Sequence, residues 1–383
     1  MSRWLHFLTM RVGLFGDRKM KLIIQPDDGP GPLLSAIKSA KKSLQIAIFR
    51  FDRSDIEEAL KAAVADGVKV TALVADVNRG GEKKLRQLET RFLEAGITVA
   101  RTADDLVRYH DKLIIVDRRT LFMLSFNFTH MDIEHSRGFG IVTRNGALVQ
   151  EALQLFDADC ARRPYTVGPD TFVVSPANSR KVLRSFLKRA KKQLLVYDPQ
   201  ISDRDMIRIL QERAKAGVEI RVIGKISDRT GIAVHKLTRL GLHTRTIIRD
   251  GRQAFVGSQS LRAVELDSRR ELGLIVRELK VVRKVVATFE SDWSTTNGHE
   301  EKLTGEQPAP VQKEEAEKVI ASLVEELHPV ADTVRKAVKK VATQNGGEIL
   351  QDKMVKSTVK KVVKKAVKQA VKEVARESGK NKA

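Results

Sequence analysis

Two short stretches hold the residues with the most chemistry in them. His110-x-Lys112-x4-Asp117 and His243-x-Arg245-x4-Asp250 have matching spacing and stand far apart in the chain. Eight residues after each aspartate comes a serine, Ser125 within Leu-Ser-Phe-Asn and Ser258 within Gly-Ser-Gln-Ser. Short patterns arise by chance in charged chains, but one that recurs with its flanking text argues for a single site built from two copies of a unit.

Those residue types suit cleavage of a phosphodiester without a metal. A nucleophile must attack phosphorus, an acid must protonate the departing oxygen, and fixed positive charge must hold the non-bridging oxygens. Two histidines can divide the first two tasks, because imidazole titrates near neutrality and one ring can act neutral while the other acts charged. Lys112 and Arg245, two residues beyond their histidines, are expected on the same strand face, where they would meet phosphate. Asp117 and Asp250 are candidates to accept the other imidazole N–H and fix each ring. Ser125 and Asn127 offer short polar side chains to phosphate oxygens, although such residues also cap turns. His130, Asp132, Glu134 and His135 form the one stretch dense in metal-ligating types, and an ordinary polar loop is the expectation there.

Each motif needs a scaffold, and the chain supplies it twice. Residues 42 to 74 read as an apolar strand, an Asp-rich turn, an amphipathic helix closing at Ala-Asp-Gly, and a second strand from Val68 to Val74. Residues 192 to 223 repeat that plan, with a helix over Met206 to Ala216 stopped by Gly217 and a strand over Val218 to Ile223. A glycine just past the last periodic residue is a helix C-cap signal. Further helices are predicted over Lys83 to Ala95 and Ile232 to Leu240, and strands over Leu113 to Val116 and Thr246 to Ile248, in βαβ order. Two similar α/β units follow, residues 20 to 165 and 170 to 297, after an N-terminal extension over 1 to 19.

In this two-unit layout the motifs resemble the phospholipase D superfamily, whose signature is H-x-K-x4-D followed by G-S-x-N in each half. The resemblance covers roughly residues 20 to 297. It implies an α-β-α sandwich for each half, packed about a pseudo-twofold axis with both histidines in one cleft. It also implies a covalent phosphohistidine, with His110 as nucleophile and His243 as general acid and base. The catalytic set carried over is His110, Lys112, Asp117, His243, Arg245 and Asp250, with Ser125, Asn127, Ser258 and Glu271 binding substrate and neither metal nor cofactor. The pattern departs at Arg245, which stands where the family has lysine, at Leu124 in place of glycine and at Ser260 in place of asparagine. Glu271 matches the downstream acid of the second half, whereas Glu134 sits closer to its motif than that acid should. Arginine keeps the charge with a different reach and geometry.

Bulk composition points the same way. The chain has 383 residues and a formal charge of +22, so an anionic partner is expected: phospholipid, another phosphodiester, nucleic acid or an acidic membrane surface. Cys160 is the only cysteine, which excludes an internal disulfide framework and fits a reducing, cytoplasmic setting. No segment has the length and apolarity of a membrane-spanning helix, so membrane contact is expected to be peripheral. Residues 298 to 350 read as a linker with amphipathic helices. Residues 351 to 383 carry eleven Lys or Arg against three Asp or Glu, with valines and alanines at three-to-four spacing, which predicts a basic helical tail. That tail fits a solvated helix, a shallow surface anchor or a nonspecific nucleic-acid contact. Three functions stay open at this stage: a phospholipase D or cardiolipin synthase-like phosphodiesterase or phosphatidyltransferase, a nuclease of the same superfamily, and a binding protein on that scaffold with weakened catalysis.

Overall fold

The computed structural model describes residues 20–76, 82–227 and 230–296. The N-terminal extension, the expected linker helices and the basic tail lie outside the described residues. No helix among the described residues is long and apolar enough to cross a membrane.

The first half runs β1 (Lys21–Gln25), α1 (Gly31–Lys38), β2 (Ser43–Ile48), α2 (Ser54–Ala65), β3 (Lys69–Val74), α3 (Glu82–Glu94), β4 (Thr98–Arg101), β5 (Arg108–Tyr109), β6 (Leu113–Val116), β7 (Thr120–Leu124), α4 (His130–Glu134), β8 (Ser136–Thr143) and α5 (Gly146–Cys160). The second runs β9 (Phe172–Ser175), α6 (Ser179–Lys188), β10 (Gln193–Ile201), α7 (Arg204–Lys215), β11 (Glu219–Ile226), β12 (Ala233–His235), β13 (Gly241–Leu242), β14 (Arg245–Arg249), β15 (Gln253–Gly257), α8 (Ala263–Asp267), β16 (Arg269–Val276) and α9 (Leu279–Thr295). The first sheet has the order β1-β8-β7-β6-β2-β3-β4, and the second repeats it as β9-β16-β15-β14-β10-β11-β12. The βαβ expectation holds for β2, β3 and β4, which are parallel, while β2 to β6, β6 to β7, β7 to β8 and β8 to β1 are antiparallel. Gly67 and Gly217 close α2 and α7 at φ +81° and +82°, the left-handed conformation that glycine adopts without strain.

Strand alternation sorts the apolar side chains into three layers. Ile114 and Val116 pack outward with Leu33, Ile56 and Phe92, whereas Leu113 and Ile115 pack inward with α5 residues Ala152 and Phe156. In the second half Ile247 and Phe255 face α6 and α7, while Ile248, Ala254 and Val256 join the inward set with Val282 and Phe289 of α9. The inward residues of both sheets form one cluster, so α5 and α9 share a central core between two outer ones.

One expected element is absent. The helix predicted over Ile232 to Leu240 is replaced by β12, which pairs with β11 in parallel through Arg221↔Ala233, Val222↔Val234 and Ile223↔His235. The apolar residues explain it: Ile232 and Val234, two apart, pack on the outer cluster, a strand period and not a helical one. His235 then stacks on Trp293 with ring centroids 3.7 Å apart.

Two crossed contacts join the halves. β5 leaves its own sheet to pair with β16, and β13 leaves the second half to pair with β8. Beneath them lie two buried bidentate ion pairs that also cross: Arg137 with Asp292 at 2.8 and 2.9 Å, and Arg270 with Asp159 at 3.1 and 3.0 Å. Arg137 and Arg270 are separated in sequence by the same interval as His110 and His243, and so are Asp159 and Asp292. Removing one member of such a pair strands a buried charge, which costs about 3–5 kcal/mol.

Candidate active site

The crossed strands bring the two motifs into one place. Immediately after β5, the His110 N–H donates to the Arg270 carbonyl at 2.8 Å. Immediately after β13, the N–H groups of His243 and Thr244 donate to the Arg137 carbonyl at 3.1 and 2.9 Å. Each histidine is thus pinned to the opposite half. Lys112 is fully buried; its Nζ donates to the His110 carbonyl at 2.7 Å and lies 2.9 Å from His110 Nε2. Arg245 Nη1 repeats the carbonyl contact, donating to His243 O at 2.7 Å, and its Nε donates to Ser260 Oγ at 3.2 Å. The arginine occupies the lysine's place, and its extra donor is used by the serine that replaces asparagine.

Hydrogen bonding selects one tautomer for His110. Glu271 Oε2 lies 2.7 Å from Nδ1, and a carboxylate accepts, so Nδ1 carries the proton. Nε2 is then the lone-pair nitrogen, consistent with the Lys112 ammonium donating to it. Phe49 braces the ring edge-on at 4.5 Å between centroids. His110 is presented as a neutral imidazole with its basic nitrogen beside a cation, the form a nucleophile requires.

His243 is held differently. Its Nδ1 donates to the Ser125 carbonyl at 2.9 Å. Nε2 lies 3.2 Å from Asp132 Oδ2 and 3.3 Å from Asn127 Nδ2. When neutral, Nε2 can accept from the Asn127 amide; when charged, it can donate to Asp132. Asp132 Oδ2 also accepts from Asn127 N at 2.8 Å and Nδ2 at 2.6 Å. Both protonation states therefore find a partner, as an acid and base requires.

Burial dominates the titration of all four groups. It pushes His110 well below the usual imidazole range, reinforced by Lys112, Arg245 and His243. It lowers His243 to about 4, with Asp132 pulling upward and Arg245 and Lys112 downward. It brings Lys112 down to about 7 against the opposing pull of Glu271. Burial also raises Glu271, with Lys112 and Arg245 opposing. Without substrate, both rings are neutral at pH 7 and Lys112 is close to its midpoint.

Asp117 and Asp250 are not imidazole partners. Each stands just past its strand, at φ 51° and 53°, and turns its carboxylate back onto the start of a neighbouring strand. Asp117 accepts from the N–H groups of Lys41, Lys42 and Ser43 at 2.7 to 3.1 Å, and Asp250 from Lys191, Lys192 and Gln193 at 2.7 to 3.2 Å. The third motif position fixes β2 and β10 at the opposite end of the motif strand from the histidine. Partial burial pushes the Asp117 carboxyl up, but the three backbone donors outweigh it and hold it below the usual range. Such a group adds stability above its unfolded pKa of about 4 that is lost as pH falls through the lower folded value. Asp117→Ala is expected to cost about 2–3 kcal/mol at pH 7 from the lost charged hydrogen bonds. In thermal denaturation the gap to the parent should close as pH falls toward 3; a gap independent of pH would show that the carboxylate is not its source.

The serines also brace the fold. Ser125 and Ser258 exchange bonds with the next strand, accepting at Oγ from Phe139 N at 2.9 Å and from Leu272 N at 3.2 Å. Asn127, expected from its motif to meet phosphate, stands with Nδ2 at 3.3 Å from His243 Nε2. Glu134 and His130 meet at the Arg53 guanidinium while Asp132 turns to His243, so the polar stretch from 130 to 135 does not gather as one ligand set. Asp132 was not legible as a partner of His243. Its signal was weak: Glu265, its counterpart at the interval that separates the histidines, likewise accepts from a backbone N–H, that of Ser260 at 2.8 Å.

The family described as "cardiolipin synthase, PLD-like domain" matches residues 33–160 and 183–293. Among solved structures, polyphosphate kinase from Porphyromonas gingivalis is similar at 20% identity and TM-score 0.61, over 72% of this chain and 50% of that one. The chain thus spans about half the length of that kinase. Phosphatidylserine synthase from Haemophilus influenzae Rd KW20 is similar at 10% identity and TM-score 0.57, over 73% of this chain and 87% of that one. At these identities the likeness is one of fold. No curated protein matches the chain.

Proposed function

This chain belongs to the phospholipase D superfamily, and from that membership we propose that it is a metal-independent phosphodiesterase or phosphatidyltransferase acting on phospholipids through a phosphohistidine. One observation carries the reading: His110 offers a lone pair at Nε2 beside Lys112, while His243 has a partner for either protonation state. His110 Nε2 attacks phosphorus as the bond to the leaving oxygen breaks, and that oxygen takes the proton from His243 Nε2. Neutral His243 then takes a proton from water or an alcohol, whose oxygen displaces the histidine and breaks the N–P bond. Lys112 and Arg245 hold the non-bridging oxygens. The incoming phosphodiester brings a negative charge that offsets these cations, so His243 binds its proton together with substrate. The basic tail, read from sequence, adds attraction to an anionic bilayer.

A nuclease is the second reading. A groove of about 630 Å³ along α6 favours it: Lys181, Arg184, Lys188 and Arg189 line it with positive charge, while Arg180 in the same lining is paired with Asp203 and Asp267.

Incubating the protein with anionic phospholipid vesicles, and separately with single- and double-stranded nucleic acid, tests both. Headgroup release or transfer that is unchanged by chelator is expected. The kcat/KM should fall as pH rises, because the free protein holds the His243 proton only at low pH, and should fall more steeply through about 7, where free Lys112 loses its charge. Strand scission without lipid turnover would favour the nuclease, and turnover abolished by chelator would overturn the metal-independent mechanism.

A further inference from the structure

The two histidines do not have equivalent supports. Glu271, the partner of His110 Nδ1, has Gly138 as its counterpart in the first half, at the same interval that separates the histidines. The register agrees, since Gly138 pairs with Gln25 of β1 as Glu271 pairs with Ser175 of β9. A side chain cannot simply be restored at 138: a Cβ there would lie 2.9 Å from the ring of Phe126, which is itself fully buried. The space that holds a carboxylate behind one histidine holds a phenyl ring behind the other. Nδ1 of His243 makes do with the Ser125 carbonyl, and the carboxylate that reaches this ring, Asp132, comes to Nε2.

We propose that Asp132 is the positioning carboxylate of His243, holding the proton on its reacting Nε2 for an alkoxide leaving group, in place of the carboxylate that Gly138 denies it at Nδ1. The inference rests on the phosphodiester reading above and narrows its substrate class. Nε2 is the nitrogen whose proton must reach the departing oxygen, so a carboxylate there orients the donor and is displaced when that oxygen arrives. Asp132 is fixed for the task by Asn127, whose N–H and Nδ2 both donate to the same Oδ2. Glu265, its counterpart, is instead engaged by Arg262 and Arg269 at 3.4 and 3.1 Å, so only one half is fitted with the device. The two histidines therefore have fixed and unequal roles. An alkoxide is a strong base, its conjugate acid about as weak as water, and it leaves only with a proton. A phosphate leaving group, with a pKa of about 6, needs none. A dedicated donor fits esters of unactivated alcohols better than phosphoanhydrides.

The 383-residue chain and its Asp132→Asn variant are compared on phosphatidylglycerol in mixed micelles and on bis(p-nitrophenyl) phosphate, whose phenolate leaves without an acid. Asparagine keeps an oxygen for the Asn127 donors and removes the charge. The expected result is a loss on the order of 100-fold in kcat on the lipid, with little change on the nitrophenyl ester. The His243 imidazole titration, followed by NMR in the substrate-free protein, should move to lower pH. Asp132→Glu, which the Glu265 turn shows can be accommodated, should restore part of the lipid rate. Equal losses on both substrates, or an unmoved His243 titration, would overturn the inference. If the parent protein turns over neither ester, the substrate reading fails separately and the titration alone decides the role of Asp132.

Discussion

His110→Ala is expected to abolish turnover, with a fall on the order of 10⁴-fold or more in kcat, as for removal of a covalent nucleophile elsewhere. The alanine deletes the lone pair at Nε2 and leaves the surrounding framework in place. The backbone bond from His110 N to Arg270 O does not depend on the side chain, nor do the crossed ion pairs beneath it. Loss of activity should therefore come with an unchanged circular dichroism spectrum. The sharper measurement is covalent. With a ³²P-labelled phosphodiester and an alkaline quench, the parent protein should carry label, and His110→Ala should carry none. His243→Ala should still take up label from an activated ester whose leaving group needs no proton, and should release it slowly. Label retained in His110→Ala and lost in His243→Ala would reverse the assignment of the two rings.

Much of this arrangement was legible in the chain itself. The paired spacing placed His110, Lys112, His243 and Arg245 together, and the structure holds them close to one another across the two halves. The strand, helix and glycine pattern located β2, α2 and β3 and their repeats β10, α7 and β11, because period and cap signals are local. What was not legible is what depends on contacts across the halves. The carboxylate partners of the rings, Glu271 and Asp132, each come from the half opposite to the histidine they serve, and no local signal marks such a pairing. Asp117 and Asp250 looked like ring partners because they share the motif, yet a strand of four or five residues separates them from it and turns them to the far end. The failed helix at 232 to 240 has a similar cause: a free sheet edge on β11 took up a segment whose apolar residues also suit a strand.

Glu271→Gln carries the second large effect, because two functions meet in one carboxylate. Its Oε2 takes the Nδ1 proton of His110 at 2.7 Å, and its charge supports Lys112, whose titration burial has already brought down to about 7. An amide in its place can turn its NH₂ toward Nδ1, which forces the proton onto Nε2 and removes the nucleophilic lone pair. It also withdraws the negative charge that keeps Lys112 protonated. The expected loss in kcat/KM at pH 7 is up to about 10⁴-fold, the size of the fall in kcat when an orienting carboxylate behind a catalytic histidine becomes an amide. The sign of the pH effect separates the two causes. Lower charge at Lys112 moves the alkaline fall in kcat/KM to lower pH, so part of the rate should return as the assay is taken below neutrality. The part due to the wrong tautomer should not return at any pH. Glu271→Asp keeps the charge and shortens the reach, so it should recover the pH profile more fully than the rate. If Glu271→Gln instead loses the same factor at every pH and Glu271→Asp recovers neither quantity, the carboxylate acts on the ring through packing alone, and Lys112 holds its charge without it.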